Sequence, residues 1–154
     1  MSTFNLFVTQ PELEDRLKAF LPNYSSNDSW YFDTMYRAIH TREFTEVFNQ
    51  WLSYHQGKLV YLPEVFDCDD FAFCFSALAR LNYYSGVGMV VGELWKDGEF
   101  LGYHAWNIIM MYRWTEDKPE PWIKLYEFEP QTLDLFDTHK SHDGFDYKGE
   151  WVIW

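Results

Sequence analysis

Cysteine is scarce in this chain of 154 residues: only Cys68 and Cys74 are present. If both lie on one helix, six residues apart, their side chains point to different sides and do not easily pair. Two free thiols suit a reducing compartment. Positive charge is equally scarce, with 12 Lys and Arg against 24 Asp and Glu and a net charge of −12. That balance excludes a general affinity for phosphate backbones, so no nucleic-acid partner is expected. It permits cation binding or a basic partner, and serves equally as a solubility device. No apolar stretch reaches the ~20 residues needed to span a bilayer. Met1-Ser2-Thr3-Phe4-Asn5 lacks the basic segment and apolar run of a secretion signal. A cytoplasmic location and no membrane partner are the expectation.

What the chain has in abundance is aromatic rings, 21% of its residues. Such bulky side chains favour a compact, ordered domain. At this length folding can bury roughly 70% of the surface of the unfolded chain. With no internal repeat and no low-complexity linker, a single domain over 1–154 is expected, helical over 1–82 and mainly β over 83–154.

Helix signals dominate the first half. Thr9-Gln10-Pro11-Glu12 reads as a cap with an early proline, followed by Leu13, Leu17, Phe20 and Leu21 at helical spacing. Trp30 to Ile39 reads as a short helix. Thr41 caps another, with Phe44, Val47, Phe48, Trp51 and Leu52 on one face. A third is expected from Cys68 to Asn82. Phe71, Ala72, Phe75, Leu78 and Ala79 form its inner stripe and Phe73, Ala77 and Leu81 make the rest apolar, so it is apolar almost all round and belongs in the middle of the domain. Val87 to Trp95 and Phe100 to Trp114 read as strands joined by Lys96-Asp97-Gly98-Glu99. A polar loop over residues 116–121, a strand over Trp122 to Phe128, an ambiguous segment from Leu133 to Asp146 and a final strand or docked tail at 150–154 complete the chain. Helices first and antiparallel strands after is an α+β pattern.

The chemistry gathers at Asp67-Cys68-Asp69-Asp70-Phe71-Ala72. A helix N-terminus favours a thiolate, whereas flanking carboxylates disfavour a second anion. A bound cation resolves that conflict. Hard oxygen donors suit Ca²⁺ more than Zn²⁺. Without a metal, Asp67 is an N-cap, and Asp69 and Asp70 favour the helix dipole. His104 in Tyr103-His104-Ala105-Trp106-Asn107 and Glu129 in Glu127-Phe128-Glu129-Pro130-Gln131 supply a base and an orienting acid. Glu127 shares the strand face of Glu129, so an assignment shifted by two residues stays open. Trp106 shares the face of His104, either over the site or in the core, and Asn107 points the other way. Cys74 reads as inert core. His40 and His55 read as histidines at helix ends, and His139-Lys140-Ser141-His142 as a solvated loop.

These three blocks, in this order, resemble the papain-like cysteine peptidase domain at the C-terminus of the Marasmius agglutinin. The cysteine block is also similar to that of the bacterial transglutaminase-like cysteine peptidases. The resemblance spans roughly residues 60–132. It implies a papain-like α+β fold, with a central Cys-bearing helix packed on an antiparallel sheet. It also implies a calcium-dependent peptidase acting on peptide or protein substrates through a thioester. Carried over, Cys68 would be nucleophile, His104 base and Glu129 orienting acid, with Asp67, Asp69, Asp70 and the carbonyl of Gln131 as calcium ligands. Papain-type enzymes place a Gln six residues before the Cys; here that position is Leu62, leaving Gln56 or Tyr61 as oxyanion donors. The alternatives are an inactive binding or inhibitory module, or a Cys-His-acid amidase or transglutaminase.

Overall fold

The computed structural model describes residues 6–82, 84–113 and 121–154. Most of the expected loop at 116–121 lies outside them. Strand β1 (Phe7–Thr9) leads into helix α1 (Gln10–Phe20). Glu12 fixes the start of α1: its Oε2 accepts the backbone N–H of Thr9 at 2.9 Å and its hydroxyl at 2.7 Å. Strands β2 (Met35–Arg37) and β3 (Ile39–His40) follow, then α2 (Thr41–Lys58) and α3 (Cys68–Leu81). His40 caps α2, its Nδ1 accepting from the Arg42 N–H at 3.1 Å. The remaining strands are β4 (Val87–Lys96), β5 (Glu99–Arg113), β6 (Trp122–Glu129), β7 (Asp134–Phe136) and β8 (Phe145–Ile153).

Strands β7, β6, β5, β4 and β8 lie side by side in that order and are antiparallel, while β3 pairs in parallel with the end of β5, at Met111 and Tyr112. β1 and β2 form a separate antiparallel pair. Alternation along β5 divides the core. Trp106, Ile108 and Met110 pack with Leu13 and Leu17 of α1, Tyr36 and Trp154. Ile109 and Met111 pack with Trp51 of α2, Phe71 and Phe75 of α3, and Phe128 of β6. Asn107 also faces α3, its Nδ2 donating to Ala72 O and Ser76 Oγ, both at 2.9 Å.

The expected papain-like α+β arrangement, helices first and sheet after, is corrected. Antiparallel sheet predominates, with three helices among the described residues. Trp30 to Ile39 forms no helix: Trp30 bridges to Ile153 and the rest reaches into β2 and β3. Tyr36 and Ala38 are buried on alternate residues, the period of a strand. Helix α3 is not central either. Phe71, Ala72, Phe75, Ser76 and Ala79 form its buried face, while Phe73 is exposed and Leu81 is 78% exposed. Cys74, expected in the core, is exposed.

β4 and β8 shift register between Val91 and Gly92, which places Gly92 opposite Gly149. A Cβ on Gly92 would fall inside the carbonyl oxygen of Lys148 and against the Gly149 backbone. Gly92→Ala should therefore cost about 1–3 kcal/mol. The check is thermal unfolding, where a midpoint several degrees lower is expected and an unchanged one would contradict the close approach.

Candidate functional site

Cys68 is the first residue of α3, half-buried and packed against the cluster of Ala72, Met89 of β4 and Ala105 of β5. The preceding turn is fixed by hydrogen bonds between Leu62 and Phe66. Asp70 accepts the Asp67 N–H at 3.2 Å, and Asp67 accepts the Glu64 N–H at 3.3 Å. Two acids of the motif thus serve the helix start, as capping groups do.

Cys68 stands close enough to His104 of β5 for its side chain to raise the imidazole pKa. Nε2 of His104 lies 2.5 Å from Oε2 of Glu129, at the end of β6. Glu129 is 2% exposed, and its Oε1 accepts the Gln131 N–H at 3.1 Å. Burial disfavours a charged His104, but its interactions with Cys68 and Glu129 outweigh this. Its pKa is carried up to about 9. At neutral pH a cationic imidazole stands between a sulfur and a buried carboxylate.

Glu129, rather than Glu127, is the partner of His104. Glu127 instead accepts the Trp106 indole N–H at 3.0 Å and faces His139 Nδ1 at 2.8 Å. Sequence reasoning missed Tyr147 of β8, whose hydroxyl donates to Glu129 at 3.3 Å and whose ring centroid lies 5.9 Å from that of His104. Its signal was the alternation Phe145, Tyr147, Gly149, masked by the polar residues around it. Burial, and after it the charge of Glu129, holds the Tyr147 phenol above its ordinary pKa.

The four expected metal ligands are not gathered together. Ligand atoms of Asp67, Cys68 and Asp69 lie within 4.8 Å of one another. The Asp67 and Asp69 carboxylates share a hydrogen bond, which lowers the pKa of Asp67 and raises that of Asp69. Asp70 is turned to the helix start. The Gln131 carbonyl is engaged by His55 Nε2 at 2.7 Å. Of the two expected oxyanion donors, Gln56 is exposed on α2. Tyr61 stands close enough for desolvation and the charges of Cys68, Asp67 and Glu64 to raise its phenol pKa.

No family model and no curated protein matches the chain. Among solved structures it is similar to Polyporus squamosus lectin bound to the human-type influenza-binding epitope Neu5Acα2-6Galβ1-4GlcNAc, at 21% identity and a TM-score of 0.66. It is also similar to a PSL1a complex with E64, at 22% identity and a TM-score of 0.65. Both matches cover 97% of this chain, which spans half the length of each neighbour. Likeness at this identity shows a shared fold. These findings correct the cysteine-peptidase identification: the named neighbour is a lectin. The papain-like fold assignment, the thiol-hydrolase activity and the peptide or protein substrate are withdrawn with it, since the ligand of the lectin structure is a sialylated glycan. Among the described residues, no helix is long and apolar enough to cross a membrane.

Proposed function

We propose that Cys68, His104 and Glu129 form a nucleophilic thiol centre that captures electrophilic carbon. The observation that carries this reading is the pairing of one imidazole with both Cys68 and Glu129. Cys68 is the nucleophile, His104 takes and returns the proton, and Glu129 holds the ring in place. Early helical N–H groups lack partners within the helix, so that of Cys68 is available to a developing negative oxygen. The free state of both cysteines fits a reducing compartment such as the cytoplasm.

The epoxide E64 tests the centre directly. The sulfur forms a C–S bond, the epoxide C–O bond breaks, and the His104 proton passes to the released oxygen. A single adduct on Cys68, found by peptide mass spectrometry, is expected. No adduct, or one shared equally with Cys74, would overturn the reading.

Calcium belongs to this proposal through Asp67 and Asp69, hard oxygen donors whose carboxyl groups share a hydrogen bond. A cation there would replace that bond and offset the negative charge beside Cys68. Calorimetric titration with Ca²⁺ should give one site per chain that is weakened at least tenfold in Asp69→Asn. Identical isotherms for the two proteins would remove these residues as ligands.

A second reading is carbohydrate binding, favoured by the glycan in the lectin neighbour. Titration with Neu5Acα2-6Galβ1-4GlcNAc decides it. Saturable binding at millimolar ligand or below supports recognition within this chain, and flat heats overturn the reading.

A further inference from the structure

A second carboxylate–imidazole pair is buried in the same sheet. Glu127 is inaccessible to solvent and precedes Glu129 by two residues on β6, so the two carboxylates share a strand face. Oε1 of Glu127 accepts the Trp106 indole N–H, and Oε2 faces Nδ1 of His139. Both oxygens are thus engaged, as a buried carboxylate requires. Trp106 is itself fully buried and lies nearly parallel to His104, with ring centroids 6.1 Å apart and 16° between planes. Tyr147 packs edge-on against Trp106 at 5.1 Å.

His139 sits in the loop between β7 and β8 at φ 58°, a left-handed conformation uncommon for a residue with a side chain. Its ring packs 4.7 Å from that of Phe20 of α1. Such a conformation persists where its surroundings hold it, and here they direct Nδ1 at Glu127. An apolar residue at position 127 would leave the buried indole N–H unpaired and without its carboxylate anchor. Glu127 fixes the plane of Trp106, and His139 fixes Glu127.

We infer that Glu127 and His139 are positioning residues for His104, acting through Trp106. This inference rests on the thiol-centre reading for its purpose, though not for its measurement. The groups facing His104 are Cys68 from α3, Glu129 from β6, Tyr147 from β8 and Trp106 from its own strand. The loop holding His139 meets them only through its backbone, where the His139 carbonyl accepts the Tyr147 N–H at 2.7 Å, a contact that an alanine at position 139 keeps. Loss of the His139 imidazole alone therefore reaches His104 by way of Glu127 and the indole.

The test follows the His104 ring resonances through a pH titration by NMR, together with the Trp106 indole N–H signal. In His139→Ala the His104 midpoint should fall by about one pH unit or more, and the indole signal should shift and exchange faster. His139→Gln, which keeps a donor toward Glu127, should restore both. His142→Ala lies in the same loop, where His142 pairs with Asp134, and should leave both unchanged. If His139→Ala does not fold, Trp106→Phe keeps a ring beside His104 but loses the indole N–H, and the same fall in midpoint is expected. A His104 midpoint unmoved in the folded variant overturns the inference. So does an equal shift in His142→Ala, which would mark a general disturbance of the loop. The titration needs no electrophile. An inert Cys68 would therefore sink the thiol reading while the midpoints still decide this one.

Discussion

Replacing His104 with Ala is expected to slow alkylation of Cys68 at pH 7 by about 100-fold or more, the range that a positioned acid–base group contributes. Cys68 is flanked by Asp67, Asp69 and Asp70, charges that oppose a thiolate. The cationic ring of His104 is the counterweight, and Glu129 keeps it cationic. The same group has a consequence for stability. Its folded pKa of about 9 lies above the ordinary value of 6.5. A charged His104 therefore contributes stability that is fully present below pH 6.5 and is lost as pH rises through 9. The shift corresponds to about 3 kcal/mol at most. The stability of the native protein to denaturant should fall between pH 6.5 and 9, and His104→Ala should flatten that slope. A slope unchanged in the variant would mean that the imidazole is not held charged by its neighbours.

The second large effect is on the packing behind the site. Phe75 of α3 is fully buried, with its ring 4.5 Å from that of Phe128 on β6 and 5.6 Å from Trp51 on α2. It joins the helix that carries Cys68 to the strand that carries Glu129. Phe75→Ala should cost about 3–5 kcal/mol, the sum of lost transfer energy and the cavity left behind. Against a typical total of about 5–15 kcal/mol, that is a large fraction of the stability. Denaturant titration with an unchanged slope and a much lower midpoint is expected. A loss below about 1 kcal/mol would show that α3 is not anchored through this ring.

The contact between His104 and Glu129 was more legible in the sequence than the architecture, for local reasons. Cys68, His104 and Glu129 stand in blocks whose polar residues interrupt apolar runs, and such interruptions are visible in one dimension. The choice between Glu127 and Glu129 was not, because residues two apart on a strand share a face. Only the structure separates them, giving one to Trp106 and His139 and the other to His104. Strands β2 and β3 are three and two residues long. β3 pairs with β5 more than seventy positions away, so its partner leaves no local trace. The hairpin of β4 and β5 was readable because alternating apolar residues flank Asp97 and Gly98, both at positive φ. Helix α3 misled in the other direction. Its apolar residues ring the whole helix, yet only the face carrying Phe71, Phe75 and Ala79 is covered, leaving Leu81 and Phe73 exposed.

The chain carries its own control for the central claim, since Cys74 lies six residues from Cys68 on the same helix and is exposed. Partial desolvation by its neighbours, and after it the charge of Asp70, pushes the Cys74 thiol above its ordinary pKa. Competitive labelling of the folded protein with iodoacetamide at pH 7, read by mass spectrometry of both peptides, measures the two thiols in one tube. An activated centre predicts that Cys68 reacts at least 100-fold faster than Cys74, and that the ratio collapses on unfolding. Equal rates in the folded protein would contradict it.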